Sequence, residues 1–352
     1  MADPAELARA QLLAISYRGP VAEASHWGQI AACLPSGQLV AGWGDPEALV
    51  VLRSAAKPLQ ALSVVTSGAA ARFGLEPRHL ALCSGSHTGS AAHLRTVREI
   101  MERIGLDEIY LGCGTHLPDD SAEAHRLQRD GLCPTPFHNN CSGKHAGMLA
   151  TALALGARPE GYLDPRHPVQ KLIREHLAAF SDMPEDNLLP LPDGCGAPTY
   201  ALPLCGVATA FARLGRPQGL PEDLRDAADQ VTHAIRLHPE MVRGAGCFNT
   251  ELIEQTEGRV IAKGGAEGLF ALAVPAEGLG VAVKVADGGE RCWPPVVLTL
   301  LGSRLGPLPD ALAAAARAEQ TNCHETVVGQ VEPAEGLATL IPLTLPREET
   351  TL

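Results

Sequence analysis

The stretch VVLRSAAKPLQALSVVTSG, residues 50–68, decides how this chain is read. Its apolar front stops at Arg53, and a second apolar run begins only after the tetrad Ser54-Ala55-Ala56-Lys57 and Pro58. Proline lacks a backbone donor and clashes with the preceding helical turn, so a helix admits it only near its start. The run predicts a helix that begins near residues 55–57 and stops at Gly68. Ser54 then lies at the helix mouth, with Lys57 three residues on and on the same face. Free N–H groups and the helix dipole favour negative charge there. That suits a serine nucleophile, a lysine base and a backbone oxyanion hole. The base must be neutral, so a pKa of about 10.4 has to fall by about 3 units, on the order of 4 kcal/mol, through desolvation or nearby cations. The competing reading is structural: Ser54 caps the helix and Lys57 is solvated.

Lysine usage sharpens the question. Lysine and arginine total 28, and only Lys57, Lys144, Lys171, Lys263 and Lys284 are lysine. Where surface positions accept arginine, the lysines that persist are enriched in sites needing an amine that can lose its proton. Lys171, in VQKLIREHL, and Lys284, in VAVKVADG, read as solvated surface residues. The other three lie in Gly/Ser-rich stretches: RSAAKP, CSGKHAG and IAKGGAEG.

With 352 residues the chain can bury a large core. A net charge of −12 argues against a nucleic-acid binder and for a small-molecule partner. No run of 18 or more apolar residues offers a membrane span. The opening MADPAELARAQLLAISYRG has no basic front feeding an apolar run, so no secretory signal is expected. Ten cysteines without such a signal point to a reducing cytoplasm. No CxxC occurs, and Cys33, Cys83, Cys205, Cys292 and Cys323 read as small buried apolar side chains.

Residues 15–52 alternate as strands and turns. The middle is helical: Leu94, Val97, Met101 and Ile104 recur at helical spacing, PVQKLIREHLAAF and PEDLRDAADQVTHAIRL behave alike, and HAGMLATALALGA is apolar almost all round. From Gly258 strands return in GRVIAKGG, GLFALAVPA and LGVAVKVADG, before an Ala-rich helix and a short tail. The expected fold is α+β, a sheet built from both chain ends with an inserted helical region. It forms one catalytic unit over residues 1–352, with sheet-forming parts at about 15–53 and 257–340 and a helical part at about 54–256.

Other motifs supply partners for Ser54 and Lys57. In GRVIAKGGAEG a strand ends in Lys263 followed by glycines that allow close approach. An early SxxK and a late Lys-Gly strand resemble the serine β-lactamases. Their Ser-x-Asn or Tyr-x-Asn element is missing here, which weakens a lactam-active reading but not the scaffold. LALCSGSHTGS reads as a strand-to-helix turn capped by Thr88 or Ser90, or as a turn exposing Ser86 as a second catalytic hydroxyl. PFHNNCSGKHAGML is a polar loop entering a buried helix, and LPLPDGCGAPTYALPL puts Asp193 and Cys195 in a braced turn. Cys141 and Cys195 can give a zinc ion two thiolates, with a third ligand among Lys144, His138 and His145. The alternative is two buried thiols beside a polar loop. Lysine binds metal only as the neutral amine.

Together RSAAKPLQAL, HNNCSGKHAGML, DGCGAPTYALPL and AKGGAEG resemble the asparaginase II family, the rhizobial-type L-asparaginases, from about Ser16 to about Pro333. The resemblance implies a fold related to serine β-lactamases and glutaminases, hydrolysis of L-asparagine to L-aspartate and ammonia, and a homodimer. Carried over by position, Ser54 with Lys57 is one Ser-Lys pair and Ser86 with Lys263 the second. The family's zinc site, one ion per chain, maps to Cys141, Lys144 and Cys195, with Asp193 beside it. Arg53, His87, His145 and Asp193 then hold substrate or order water. RGAGCFNT departs from the family in having Cys247 where an arginine is usual, with Arg243 close by.

The expected mechanism has Ser54 attack the side-chain amide while Lys57 takes its proton. Ser86 and Lys263 relay it to departing ammonia. The alternatives are a glutaminase, another acyl-serine amidase or esterase of the same fold, or a zinc-dependent binding module without turnover. Neither a nucleic acid nor a membrane is an expected partner.

Overall fold

The strand Val21–Cys33 begins exposed and ends buried on both faces, because its last residues lie in the middle of a sheet. The computed structural model describes residues 9–346; residues 1–8, the front of the stretch read for a secretory signal, lie outside them. The eight-stranded sheet runs in the order Gln320–Thr321, Val327–Pro333, Gln11–Arg18, Val21–Cys33, Leu279–Val285, Leu269–Val274, Ile261–Gly264, and Leu39–Trp43 also pairs with Val21–Cys33. These neighbours are antiparallel, with Ile30 opposite Val283 and Lys263 opposite Ala271. The fold is α+β, with strands from both chain ends in one sheet.

By contacts the described chain forms two compact units. The first holds the sheet and comprises residues up to 50, 202–216 and from 251. Helix Leu204–Gly215 packs across Leu279–Val285, Leu269–Val274 and Val21–Cys33, so it leaves the helical region expected over 54–256 and joins the sheet. Gly280 permits this, since a side chain there would run into the Ala208 carbonyl. The tail beyond the Ala-rich helix is more than a tail, because Val327–Pro333 pairs along Gln11–Arg18.

The second unit comprises residues 51–201 and 217–250 and is mainly helical. Helix Lys57–Thr66 packs against Pro168–Ser181, Glu222–Leu237 and Ser142–Ala154. Leu94, Val97, Met101 and Ile104 are buried on helix Ala91–Ile104, as their spacing requires. The apolar run expected as a strand before Ser84 is a helix, Pro77–Cys83. Pro77 opens it, and Glu76 and His79 cap each other's backbone N–H groups. Ser90 caps the following helix.

Two surface expectations change. Lys284 is half-buried and donates to the carbonyls of Glu267 and Val285. Cys323 is exposed and Cys205 half-buried, whereas Cys33, Cys83 and Cys292 are buried.

Candidate active site

The site is built where strand Leu49–Val51 turns sharply into the 3-10 turn Arg53–Ala56 and then helix Lys57–Thr66. Arg53 makes that turn in the left-handed region, φ 46°, which a non-glycine residue adopts only at a cost of order 1–3 kcal/mol. Its N–H donates to Thr199 Oγ1 at 3.0 Å, and its Nε to Asp193 Oδ1 at 2.6 Å. Ser54 follows directly and is half-buried. It caps no helix, since neither the turn nor the helix has a side-chain cap. The N–H groups of Ala55 and Lys57 are already bonded to the Leu52 and Ser54 carbonyls. That leaves the N–H groups of Ser54 and Ala56 as the candidate oxyanion donors at this turn.

Lys57 is fully buried, and its Nζ donates to Ser86 Oγ at 2.8 Å and to the Asn140 carbonyl at 3.4 Å. The solvated reading of Lys57 is therefore excluded. Burial lowers its pKa, Cys141 opposes that shift, and Lys144 adds to it. This bond joins two motifs that the resemblance assigns to different Ser-Lys pairs. Lys263 belongs to the sheet unit, where it is buried on strand Ile261–Gly264 and donates to the Gly264 carbonyl at 2.6 Å.

Ser86 is laid against the segment 241–244. Its N–H donates to the Val242 carbonyl at 2.7 Å and the Thr88 N–H to that of Arg243 at 2.9 Å. Arg243 Nη1 donates back to the Ser86 carbonyl at 3.0 Å. The approach requires Gly85, where a Cβ would lie 2.5 Å from the Met241 carbonyl oxygen. His87 is buried, and its Nδ1 accepts from the Gly89 N–H at 3.2 Å. Its Nε2 therefore carries the proton and donates to Ser142 Oγ at 2.8 Å, and Ser142 donates to the Phe137 carbonyl. Burial, with His93 and Lys57 nearby, drives its pKa well down. Both ring nitrogens are thus bonded within the protein, and His87 braces the Lys144 helix through Ser142.

The cysteine motifs converge as the resemblance implies. Cys141 Sγ lies 3.1 Å from Asn140 Oδ1 and Cys195 Sγ 3.6 Å from Asp193 Oδ2. The Cys195 thiol, with Lys57 and Lys144 nearby, holds Cys141 well below the usual thiol range, while Cys195 is raised. Lys144 Nζ donates to Cys195 Sγ at 3.0 Å and lies 3.8 Å from Asp193 Oδ2. Burial disfavours its charge, but Cys141, Cys195 and Asp193 outweigh that and raise its pKa. Asp193, although buried, is held ionised by Lys144 and Arg53. Of the three candidate third ligands, His138 is engaged by Glu123 at 3.1 Å and the Thr135 N–H at 2.9 Å. His145 Nδ1 is hydrogen-bonded to the Tyr162 hydroxyl at 2.6 Å, which accepts from the Gly112 N–H. Burial drives the His145 pKa well down, and its Nε2 is buried without a partner. Of these three, Lys144 is the one with a hydrogen bond to a thiol, that of Cys195. Among the described residues no three His, Cys, Asp or Glu side chains are grouped for a metal, so a zinc ion here needs Lys144 as third ligand. Two soft thiolates, an amine and an adjacent carboxylate fit zinc, provided that Lys144 gives up its proton.

Sequence reading missed Tyr162, Thr199, Ser142 and Asp119, the last of which pairs with Arg243 at 3.2 Å. Ser142 and Thr199 lie inside motifs already singled out, CSGKHAG and DGCGAPTYALPL, but their roles, like those of Tyr162 and Asp119, are recognisable only by what they touch.

Among solved structures, the chain is similar to a β-lactamase from Mycobacterium bovis at 15% identity and a TM-score of 0.39, over 82% of this chain and 93% of that one. It is also similar to Mglu in its Tris and glutamate form, at 15% identity and a TM-score of 0.34, over 89% of this chain and 63% of that one. A comparison with curated proteins finds no match. The model of the family described as L-asparaginase II matches residues 14–333, which include every residue of the site above. The chain belongs to the L-asparaginase II family and is an amidohydrolase.

Proposed function

We propose that the protein hydrolyses L-asparagine to L-aspartate and ammonia through an acyl-serine intermediate. The observation that carries this reading is the buried Lys57–Ser86 hydrogen bond, with the half-buried Ser54 three residues before Lys57 in the chain. Ser54 attacks the side-chain amide carbon, and its proton passes to Lys57, which burial biases toward the neutral amine. Lys57 hands a proton through Ser86 to the departing ammonia, so the C–N bond breaks as the ester to Ser54 Oγ forms. Water then cleaves the ester: the Lys57–Ser86 pair takes a proton from the attacking water and hands it to the departing Ser54 Oγ, which regenerates the serine and the neutral amine. The Ser54 N–H supports the oxyanion. Lys263 is assigned the second Ser-Lys role on the family resemblance.

Cys141, Lys144 and Cys195 would hold a zinc ion, with Asp193 beside it. A zinc ion so bound supplies a fixed positive point for orienting substrate, its Lewis acidity weakened by two thiolates. Metal analysis of purified protein should find about one zinc per chain, and Cys195→Ser should remove it. We further propose a homodimer, to be checked by light scattering, and a cytoplasmic location. Among the described residues no helix is long and apolar enough to cross a membrane.

The test is ammonia release from asparagine and glutamine, with nitrocefin and a simple ester beside them, and mapping of the trapped acyl group. Asparagine should be the preferred substrate and the peptide bearing Ser54 should carry the acyl group. Preference for glutamine or the ester would replace this reading with the glutaminase or esterase one. Acylation of Ser86 alone would overturn the order of the relay.

A further inference from the structure

Two Arg–Asp pairs flank the group formed by Ser54, Lys57 and Ser86, and they differ in availability. Arg53–Asp193 closes at 2.6 Å, and Asp193 is 7% exposed, accepts from the Gly194 N–H and lies beside Lys144. Its carboxylate is committed, and opening the pair would leave a largely buried carboxylate without its partner. Arg243–Asp119 is looser, at 3.2 Å, with side chains 30% and 47% exposed. An exposed pair of this kind contributes little and can be opened by a ligand that offers both charges.

The looser pair is nevertheless fixed in place. Arg243 donates to the carbonyl of Ser86 itself. The loop bearing Asp119 is tied to the same strip, because the Asp120 N–H donates to the Thr88 carbonyl at 2.8 Å. Gly89, in the left-handed region at φ 78°, lets Pro118 approach to where a Cβ would be 2.7 Å away. One cation and one anion thus stand together beside a catalytic hydroxyl.

A free amino acid carries a carboxylate and an ammonium on a single carbon. In asparagine that carbon is two bonds from the amide carbon, so an amide at the serines puts the zwitterion within reach of a pair anchored on Ser86. We propose that Arg243 binds the α-carboxylate and Asp119 the α-ammonium of the substrate, restricting this site to free amino acids bearing a side-chain amide. This deepens the asparaginase reading and rests on it for the identity of the amide. The four charges alternate in a ring and no net charge is buried. Arg243 supplies a planar fork that a lysine would not.

The test is titration calorimetry on the full chain with L-aspartate, β-alanine, which lacks the α-carboxylate, and succinate, which lacks the ammonium. Arg243→Met should weaken aspartate about 10- to 100-fold, the loss of a charge-assisted contact, while β-alanine changes by less than about threefold. Asp119→Asn should weaken aspartate and spare succinate. Arg243→Lys should recover part of the loss, which a misfolded variant would not. Equal weakening of all three ligands by Arg243→Met would reduce Arg243 to a structural role and overturn the proposal. So would a carboxylate-selective loss in Arg53→Met but not in Arg243→Met. Ammonia release by the parent protein separates the two readings. Release with unchanged aspartate binding in Arg243→Met defeats this proposal alone; selective binding without release defeats the asparaginase reading alone.

Discussion

Lys57 is fully buried, and keeping an ammonium there without compensation is expensive, so burial pushes it toward the uncharged amine. The same arithmetic governs His176, which is remote from the site. Its Nε2 meets Thr66 Oγ1 at 3.3 Å, its Nδ1 is buried without a partner, and burial lowers its pKa to about 4. The folded value lies below the unfolded one of about 6.5. Below pH 6.5 the unfolded chain therefore binds a proton that the folded chain refuses. Stability is complete above that pH and falls as the pH drops toward 4. Between pH 7.5 and pH 5 this residue should remove about 2 kcal/mol. Urea unfolding of the parent and of His176→Leu at both pH values checks this, and the variant should lose less on acidification. Equal losses would show that His176 is charged in the fold.

At the scale of elements, helix Ser142–Ala154 brings Cys141 and Lys144 to the site by lying unusually close to its neighbours. A Cβ at Gly143 would stand 2.6 Å from the Leu82 carbonyl oxygen, and one at Gly147 2.8 Å from Cys83 Sγ. Gly→Ala inside a helix ordinarily gains up to about 1 kcal/mol. At Gly143 the contact is backbone and cannot yield, so Gly143→Ala should instead cost about 1–3 kcal/mol and shift Lys144. A raised urea midpoint would contradict the close approach. That helix was legible as buried because its apolar residues leave no polar face, and Lys57–Thr66 was legible because Pro58 and Gly68 punctuate it. The run before Ser84 misled because seven residues are few enough to read as a strand, and its capping pair, Glu76 with His79, lies outside the apolar stretch. That Lys144 meets Cys195 was legible through the family resemblance and not through spacing, because the two lie in motifs far apart in the chain. Which lysine meets which serine was not: Lys57 and Ser86 are 29 residues apart, and only the packing of two helices and a loop brings them to 2.8 Å. Arg243 and Asp119 are hidden for the same reason.

For the whole molecule, the sheet depends on strands from both ends of the chain. Val327–Pro333 pairs with Gln11–Arg18 from Ala14 opposite Pro333 to Arg18 opposite Gly329, and Val331 and Ala14 are buried in that seam. The pairing covers an edge that would otherwise present unpaired N–H and C=O groups. Removing residues 319–352 should therefore leave a chain that associates with rising concentration in size-exclusion chromatography. A monodisperse, native-like product would show the seam to be dispensable. The sequence placed this strand only within the sheet-forming part at about 257–340, because Gly329 breaks its apolar pattern; any side chain there would strike the Tyr17 carbonyl.

The central claim is that Lys57, through its bond to Ser86, runs amide hydrolysis started at Ser54. The direct measurement is the rate of ammonia release from L-asparagine by the parent, Lys57→Met and Lys57→Arg. Methionine fills the space without a base and arginine cannot give up its proton. Both variants should lose about 10²- to 10⁴-fold in kcat, and Lys57→Met should melt no lower than the parent, because an apolar chain replaces a buried amine. Release by Lys57→Arg within a few-fold of the parent would mean that Lys57 acts only as a fixed positive charge, and the account would be wrong.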